Sequence, residues 1–382
     1  MKLVVFSHKL VWRNQDSPTG YSTDGGFAFQ MGAISKIFDQ TTIVVPVLLK
    51  KMTAGEVHIQ GQNLKIVPLE NISGHGLRRK INYLFWFIKN VSKFNTLINE
   101  ADAVHTPIPS DIGTLGMILA LIKKKPLLVR YCGNWLVQNT IAEKCWKWLM
   151  EKFAGGKNVM LATGLQSEKP SEKNPNIKWI FSSSLTESEL NELREKPPKL
   201  NINAPRLIIV CRMEEGKGVE QVISAVNLIK DEYPSIRLDV VGDGGELKVF
   251  KDIVSKLNLK SHVVFHGKLN HQGVLAALKD AQVFCYPTSF EGFPKVVLEA
   301  LASGLPVFAT AVSAIPELLK PGGGMILRNN EPETLLQELR ELFLSPERYP
   351  EMQAYAFETA SAFSLEKWGD SIKLHLQKAW NL

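Results

Sequence analysis

The stretch that decides the fold is residues 286–310, YPTSFEGFPKVVLEALASGLPVFAT. The apolar run just before it, residues 283–286, is typical of a strand, and Pro287 ends that run. Pro294 stands where a first helical residue is expected, because its fixed φ suits that position, and Gly304 marks the helix end. The stretch therefore predicts a strand, a short loop, a helix and a second strand.

Two glutamates flank the start of this predicted helix. Glu291 lies in the loop and Glu299 lies inside the helix, eight residues later. A helix N-terminus carries unpaired N–H groups and a partial positive charge, so it favours anions and oxygen-rich ligands. The two carboxylates can accept hydrogen bonds from hydroxyl groups held at that end, which predicts a ligand site. The alternative is an ordinary loop carboxylate and a solvated helix residue.

The run EGFPKVVLEALASGLPV resembles the E-x7-E motif of the retaining GT-B glycosyltransferases of the large family 4. The resemblance implies an α/β fold of the GT-B type, with two Rossmann-like doubly wound domains facing a central cleft. It also implies transfer of a sugar from a nucleotide-diphosphate sugar to a glycan or lipid-linked acceptor, without metal or cofactor. A UDP-sugar is the expected donor, and synthesis of cell-surface polysaccharide, lipopolysaccharide or glycolipid is the expected setting.

The resemblance also implies roles for individual residues. In CRMEEGKGVEQ, Arg212 and Lys217 match the residues that hold the donor's diphosphate, and two cations suit a leaving group that gains negative charge. Glu299 would take the ribose hydroxyls and Glu291 would be the catalytic carboxylate on the sugar side. Further donor-binding candidates are Gly292, Phe293, Lys295, Val296, Gly242 and Lys268. Cys211 replaces the family's usual glycine, and an ordinary basic loop is the alternative reading.

The chain of 382 residues is long enough for two domains. KPPKLNINAP, residues 196–205, is a proline-bearing polar connector and the expected boundary. Strands alternate with helices on both sides of it, which predicts parallel sheets covered by helices. We expect an acceptor-side domain over 1–200, a nucleotide-sugar-binding domain over 201–360, and a terminal helix over 361–382 that packs back on the first domain.

The first half offers weaker candidates. Gly25 and Gly26 precede an apolar helix and match a glycine-rich loop that faces the cleft in the resembled family, although a plain turn fits them equally. Cys132 and Gly133 stand where the family usually has a His-Gly pair whose histidine reaches the donor sugar. His105 ends a neighbouring strand, and we interpret it as a structural histidine.

The net charge of +7 is concentrated in the first half, where 26 Lys and Arg outnumber 16 Asp and Glu. No nucleic-acid recognition motif accompanies this excess, so an anionic membrane is the expected partner surface. The candidate contacts are Arg78, Arg79 and Lys80, together with Lys123 to Lys125. The aromatic residues of the predicted helix over 77–99 indicate either core packing or an interface with lipid.

Composition argues against a membrane-spanning, secreted or zinc-binding protein. No run approaches the roughly 18 apolar residues of a membrane span, and the N-terminal MKLVVF is typical of a first strand rather than a signal peptide. The four cysteines are scattered, which indicates neither a zinc site nor a disulfide framework and favours a cytoplasmic location, including the inner face of the membrane.

Other enzyme classes have weaker support. VVGDGGE lacks the third glycine of a dinucleotide fingerprint, and neither an ATPase P-loop nor an Asp-x-Asp metal clamp is present. The remaining alternatives are a GT-B phosphorylase, a nucleotide-sugar epimerase, and a catalytically idle subunit that binds sugar nucleotides. The Cys132 departure keeps the last of these open.

Overall fold

The computed structural model describes residues 1–49, 55–72 and 76–380, without the side chains of 76–81 and 84. The chain divides into two compact units, which are described separately. Unit 1 comprises residues 1–181 with 368–382, and unit 2 comprises 182–367. Each unit is built on a sheet with parallel strands, as the alternation of strands and helices predicts.

Unit 1 has a sheet whose centre is parallel. Its strands are β1 Lys2–Phe6, β2 Val11–Arg13, β3 Tyr21–Asp24, β4 Gln40–Leu48, β5 Glu56–His58, β6 Leu64–Glu70, β7 Ala103–Ile108, β8 Leu127–Tyr131, β9 Asn158–Thr163 and β10 Lys178–Ile180. They lie in the order β10-β9-β8-β7-β1-β4-β2-β3-β5, and β6 pairs with β4. The β2–β3 and β3–β5 pairs are antiparallel. The first helices are α1 Phe27–Ser35, α2 Gly76–Glu100, α3 Asp111–Ile122 and α4 Ile141–Phe153.

Unit 2 has a wholly parallel sheet among the described residues. Its strands are β11 Arg206–Val210, β12 Arg237–Val241, β13 Val263–Gly267, β14 Val283–Tyr286, β15 Val307–Thr310 and β16 Gly324–Leu327, in the order β13-β12-β11-β14-β15-β16. The helices that follow along the chain are α5 Glu187–Glu195, α6 Val219–Ile229, α7 Leu247–Lys256, α8 His271–Lys279, α9 Lys295–Ala302, α10 Ile315–Leu319, α11 Pro332–Leu344, α12 Tyr349–Ser361 and α13 Leu365–Trp380. A 3-10 turn, Pro346–Arg348, precedes α12.

The division between the units falls before the polar connector, not within it. The segment from residue 182 onward belongs to unit 2 because it is bonded there: the Ser184 hydroxyl donates to Glu299, and the Gln353 amide donates to the Pro198 carbonyl. The expected boundary at residue 200 is therefore about 20 residues late. The charged helix α5 falls within the range expected for the first domain, yet it belongs to unit 2.

The terminal helix α13 contributes to unit 1 from Trp368 onward. The Trp368 ring is fully buried and lies 4.7 Å from the Arg130 guanidinium, and the Trp380 indole donates to the Lys157 carbonyl at 2.9 Å. All eight tryptophans of the chain lie in unit 1.

Helix α2 serves mainly as core. Trp86 and Phe94 are buried, and Phe94 stacks on Phe6 with ring centroids 4.4 Å apart. Phe85 and Ile88 remain exposed on the opposite face. The side chains of Arg78, Arg79 and Lys80 lie outside the described residues, so the expected basic cluster is left as a prediction. None of the described helices has the length and apolar character needed to cross a membrane.

Lys123 and Lys125 have a structural role. The Lys123 ammonium donates to the Asn99 side chain at 3.0 Å, and that of Lys125 donates to the Ala101 carbonyl at 2.6 Å. Both lysines therefore fasten the end of α3 to the end of α2, where carbonyls attract cations.

Candidate functional site

Two loops of unit 2 meet where the strand order changes direction. Strand β11 lies between β12 and β14, and a ligand of an open α/β sheet binds at the carboxyl ends of strands at such a point. The loop after β11 contacts the loop after β14 through the Ser289 N–H, which donates to the Gly216 carbonyl at 2.7 Å. Gly218 has φ 85°, and a Cβ there would lie 2.7 Å from the Pro287 carbonyl oxygen. This close approach requires glycine.

Lys217 and Glu291 form a buried ion pair at this junction. The Lys217 ammonium lies 2.9 Å from Glu291 Oε1, and their side chains are only 4% and 17% exposed. The same ammonium donates to the Phe290 carbonyl at 3.0 Å and lies 4.2 Å from the centroid of the Phe290 ring. The structure thus joins the expected phosphate cation directly to the expected sugar-side carboxylate.

Glu291 is held by further donors. The Tyr286 hydroxyl donates to Glu291 Oε1, and the Gly292 N–H donates to Oε2 at 3.1 Å. Burial, with the adjacent Glu291 charge, raises the pKa of Tyr286 well above its usual range, so this hydroxyl stays a donor. With a cation on one oxygen and a backbone N–H on the other, the carboxylate has a fixed orientation.

Arg212 follows β11 and reaches solvent. Its guanidinium pairs with Glu214 at 2.8 Å while its side chain is 73% exposed, and an exposed pair of this kind is weak. The charges of Arg212, Glu214, Lys217 and Glu291 all act on the Cys211 thiol, whose pKa burial raises to about 12. Cys211, which stands where the resembled family usually has glycine, therefore lies within electrostatic range of all four charged groups.

Glu299 projects from α9 and is almost completely buried, with 8% of the residue exposed. Its Oε1 accepts a hydrogen bond from the Ser184 hydroxyl at 3.3 Å and lies 3.7 Å from His271 Nδ1. Burial raises the pKa of Glu299, and the charges of His271 and Lys295 oppose that effect. Glu299 is therefore not the solvated helix residue of the alternative reading.

Helix α9 begins one residue after Pro294, the residue expected from the sequence to be its first. Pro294 is the N-cap residue and Lys295 is the first helical residue. Phe293 is buried, whereas Gly292, Lys295 and Val296 are partly exposed around the helix start. The Gly292 carbonyl accepts a hydrogen bond from the Ser313 hydroxyl, which fixes the loop that leads into the helix.

Gly242 and Lys268 follow the next two strands. The Gly242 N–H donates to the Gly267 carbonyl at 2.9 Å, and a Cβ on Gly242 would lie 1.8 Å from the Cys211 carbonyl oxygen. Gly242 is thus required for close packing of its loop on the β11 loop. Lys268 follows β13, which is two strands away from β11 in the sheet.

The candidates in unit 1 lie on separate loops. Gly25, with φ 64°, and Gly26, the N-cap residue of α1, lead into that helix. Cys132 is exposed and Gly133 is partly buried after β8. Arg130 connects the two regions, because its guanidinium donates to Gln30 of α1 at 2.9 Å and contacts the Cys132 sulfur at 3.7 Å.

His105 is a structural histidine, as interpreted from the sequence. It is completely buried on β7, and its Nδ1 lies 2.9 Å from the Leu128 carbonyl oxygen. Burial, with the nearby Arg130 charge, lowers its pKa to about 3. The ring is therefore neutral at physiological pH.

Four site residues escaped the sequence reasoning. The sequence predicts Tyr286 only as a strand end, and no motif identifies Ser184, Glu189 or His271. Ser184 and Glu189 lie in the range expected for the first domain, and His271 is the first residue of α8 with no neighbouring motif. Ser184 lies 115 residues from Glu299 in the sequence, so no local sequence pattern could predict their hydrogen bond. No group of three or more His, Cys, Asp or Glu among the described residues is arranged to hold a metal ion.

Comparison with protein families matches residues 192–359 to Glycosyl transferases group 1. The putative colanic acid biosynthesis glycosyltransferase WcaL of Escherichia coli is 28% identical over 158 residues, which are 40% of this chain and 39% of WcaL. The D-inositol 3-phosphate glycosyltransferase of Streptomyces griseus is 25% identical over 186 residues, 44% of this chain and 39% of that protein. The chain thus spans half or less of the length of these curated relatives. The predicted resemblance to group 1 glycosyltransferases is confirmed over the matched segment.

Solved structures resemble the chain over almost its full length. Anabaena HepE in complex with UDP has a TM-score of 0.70 at 16% identity, covering 99% of this chain and 100% of HepE. WaaG, a glycosyltransferase involved in lipopolysaccharide biosynthesis, has a TM-score of 0.64 at 14% identity, covering 98% of each chain. At these identities the likeness concerns the fold, and it confirms the predicted GT-B class.

Proposed function

We propose that this chain is a glycosyltransferase that moves a sugar from a nucleotide-diphosphate sugar to a glycan or lipid-linked acceptor with retention of configuration. The setting proposed is synthesis of cell-surface polysaccharide or glycolipid. The observation that carries the proposal is the buried Lys217–Glu291 pair at the carboxyl ends of β11 and β14. A cation and a carboxylate at one switch point suit a substrate whose two halves acquire opposite charges in the transition state.

The diphosphate side rests on Lys217, Arg212 and two helix starts. An ammonium has three N–H donors, and Lys217 uses two of them on Phe290 and Glu291 among the described residues. The third is available to a phosphate oxygen. Arg212 is exposed, and the ion pair it forms within the described part of the chain, with Glu214, is weak, so its guanidinium can turn to the ligand. The starts of α6 and α9 add partial positive charge, which needs no metal ion.

The sugar side rests on Glu291. Its fixed orientation lets a carboxylate stabilise positive charge that develops at the sugar carbon, without reorganisation during the reaction. The backbone of residues 292–296 supplies polar groups beside it at the start of α9. We do not require a covalent intermediate in this scheme.

The ribose side rests on Glu299. Its Oε1 is occupied by Ser184, whereas Oε2 accepts no hydrogen bond from the described residues. A carboxylate oxygen can accept from both hydroxyls of a vicinal diol, and charged hydrogen bonds of this kind are stronger than neutral ones. HepE was solved with UDP-glucose, which supports a UDP-sugar as the donor proposed for this chain.

Contact with an anionic membrane is a further part of the proposal, and α4 supports it. Ile141 and Trp148 are 82% and 54% exposed on this helix, and the Lys152 ammonium lies 4.9 Å from the Trp148 ring. Leu136 and Val137 are exposed in the loop before it. Aromatic and aliphatic side chains interleaved with lysines suit the interface of an anionic bilayer. This surface would bring unit 1 to a lipid-linked acceptor.

Two experiments test the proposal. A thermal-shift screen with nucleoside diphosphates and their sugars tests binding, because a ligand at a hundredfold over its dissociation constant stabilises the folded state by about 2.7 kcal/mol. Hydrolysis of the donor without acceptor separates an enzyme from an idle binding subunit. NMR of the product anomer then tests retention, and inversion would contradict the assignment. Release of a sugar 1-phosphate or of an epimerised donor would identify the phosphorylase or epimerase alternatives.

A further inference from the structure

His271 bridges two carboxylates that come from different helices. It is the first residue of α8, with a side chain 10% exposed. Its Nε2 lies 3.2 Å from Glu189 Oε1 on α5, and its Nδ1 lies 3.7 Å from Glu299 Oε1 on α9. The bridge therefore joins the carboxylate of the proposed ribose site to a second acidic side chain behind it.

Glu189 is a fixed anchor for this bridge. Its Oε2 accepts from the Thr186 N–H at 2.8 Å, and the Glu189 N–H donates to the Thr186 hydroxyl at 3.1 Å, which together form a capping box at the start of α5. The Thr186 hydroxyl also donates to Glu189 Oε2 at 2.9 Å. Its Oε1 also accepts from the Gln272 amide at 2.9 Å. Since both oxygens are engaged, Glu189 holds the imidazole in place rather than following it.

The charges around the ring favour its protonated form. Burial alone lowers the pKa of His271, yet the hydrogen bond that its ring donates to Glu189 and the charges of Glu299 and Glu189 outweigh it, so the pKa is raised. Lys295 of α9 opposes them. At the other end of α8, Lys279 pairs with Glu192 of α5 at 3.3 Å. Among the described residues, the charges of two carboxylates and one ammonium thus act on the ring.

We propose that His271 is a positioning residue for Glu299, which it orients and keeps ionised for the nucleoside hydroxyls while its own proton cancels one of the two buried negative charges. This rests on the proposed function, in which Glu299 takes the ribose. Residue His271 does not touch the substrate in this scheme. It acts through the carboxylate oxygen that it faces.

A consequence for binding follows from charge balance. When His271 loses its proton, the cluster with Glu189 gains one net negative charge, and an anionic nucleotide is repelled. Affinity is therefore highest below the raised pKa of His271 and falls as the pH increases through it. By reciprocity, the bound nucleotide raises that pKa further, so binding near it takes up a proton.

The first test needs no nucleotide. An NMR titration of the histidine rings in the wild-type protein should show His271 titrating above the ordinary histidine value, and Glu189→Gln should lower its pKa. A matched control is His262→Gln, at the opposite end of β13, which should leave the His271 titration unchanged. If His271 titrates at or below the ordinary value in the wild-type protein, the inference is wrong whether or not a nucleotide binds.

The second test uses UDP-glucose, whose diphosphate diester has no proton that titrates near neutrality. Calorimetry in two buffers of different ionisation enthalpy should show proton uptake by the wild-type protein and none by His271→Gln. Wild-type affinity should fall by about tenfold across the His271 titration, the equivalent of one pK unit, while His271→Gln stays near the high-pH value throughout.

The outcomes separate the two proposals. A pH dependence that persists in His271→Gln overturns the positioning role and leaves the donor assignment intact. Absence of UDP-glucose binding by the wild-type protein overturns the assignment of that donor and the proton-uptake part of this inference together. The ring titration still decides whether the charged bridge exists.

Discussion

The ammonium of Lys217 and the carboxylate of Glu291 contact each other at 2.9 Å across 74 residues of chain. The resemblance assigned them to opposite ends of the donor, one to the phosphate and one to the sugar. Because the pair is buried, removing one partner leaves an uncompensated charge, a loss that costs about 3–5 kcal/mol in proteins. Even the isosteric Glu291→Gln leaves the Lys217 ammonium without its counter-charge, so thermal unfolding of a variant must be measured beside its kinetics.

Glu291→Gln is expected to lower turnover about a hundredfold to a thousandfold while nucleotide binding weakens much less. The amide keeps the shape of the side chain but cannot stabilise positive charge that forms only in the transition state. Steady-state kinetics and calorimetry of nucleotide binding measure the two effects. Tyr286→Phe is the matched control, since it removes one hydrogen bond to Glu291 and keeps the charge. Full turnover in Glu291→Gln would remove this residue from the catalytic role.

Glu299→Ala is expected to weaken nucleoside-diphosphate binding by at least tenfold, because a charged hydrogen bond contributes about 1.5–3 kcal/mol. The fold should survive. Burial raises the pKa of Glu299, so its ionised form costs stability at neutral pH and its removal relieves that cost. Calorimetry and thermal unfolding test both statements, with Glu341→Ala on α11 as the exposed control. Unchanged affinity in a folded variant would exclude Glu299 from the nucleotide site.

Activity is expected to survive chelation by EDTA. Arg212, Lys217 and the starts of α6 and α9 can stabilise the diphosphate without a divalent cation. Initial rates in EDTA, compared with rates in added Mg²⁺ and Mn²⁺, measure this directly. Loss of turnover on chelation, with recovery on metal addition, would show that a metal ion takes part.

Acid should destabilise unit 1 through His105. Its pKa is about 3 when folded and 6.5 in its ordinary state, so the unfolded chain binds a proton that the folded chain does not between those values. Stability is fully present above pH 6.5 and falls below it, by about 1.4 kcal/mol for each pH unit from this one group.

Denaturant unfolding followed by tryptophan fluorescence isolates this effect, because all eight tryptophans lie in unit 1. In His105→Gln, the free energy of unfolding should depend less steeply on pH, by the amount that corresponds to one proton. The comparison variant is His375→Gln. His375 is half-buried, and burial lowers its pKa as well. A slope in His105→Gln equal to that of the wild-type protein would place the proton elsewhere.

Binding to anionic vesicles should depend on α4. Trp148→Ala should weaken it at any ionic strength, whereas Lys144→Gln with Lys152→Gln should weaken it mainly at low salt, by about 1 kcal/mol per lysine. Cosedimentation at two salt concentrations distinguishes these patterns. Lys248→Gln with Lys251→Gln on α7 is the control, and a triple Arg78, Arg79 and Lys80 variant tests the cluster expected from the sequence. Equal binding to neutral and anionic vesicles would contradict the proposal.

Local signals predicted much of the fold. Helix α9 starts within one residue of the expected position and ends just before Gly304, as expected. Proline and glycine mark these ends, and their restricted or permissive φ acts within the element itself. The alternation of strands and helices also predicted parallel sheets, because this inference needs only the order of the elements along the chain and not their contacts.

The contacts of the site could not be predicted this way. The pairing of Lys217 with Glu291 depends on β11 and β14 being neighbours, and the sequence does not specify strand order. His271 meets Glu189 only because α5, which falls within the range expected for the first domain, belongs to unit 2. Tertiary packing brings both pairs of residues together, and local sequence propensity does not predict such contacts.

The four cysteines are divided between the units by accessibility. Cys132 and Cys145 are exposed in unit 1, whereas Cys211 and Cys285 are buried in unit 2, where burial raises the pKa of both thiols. Because only a thiolate in contact with solvent reacts readily, a maleimide should modify the first two at once and the second two only when unit 2 opens. The rate of that slow labelling measures how often unit 2 opens. Because Cys211 lies near the charged groups of the proposed donor site, bound nucleotide should slow its labelling.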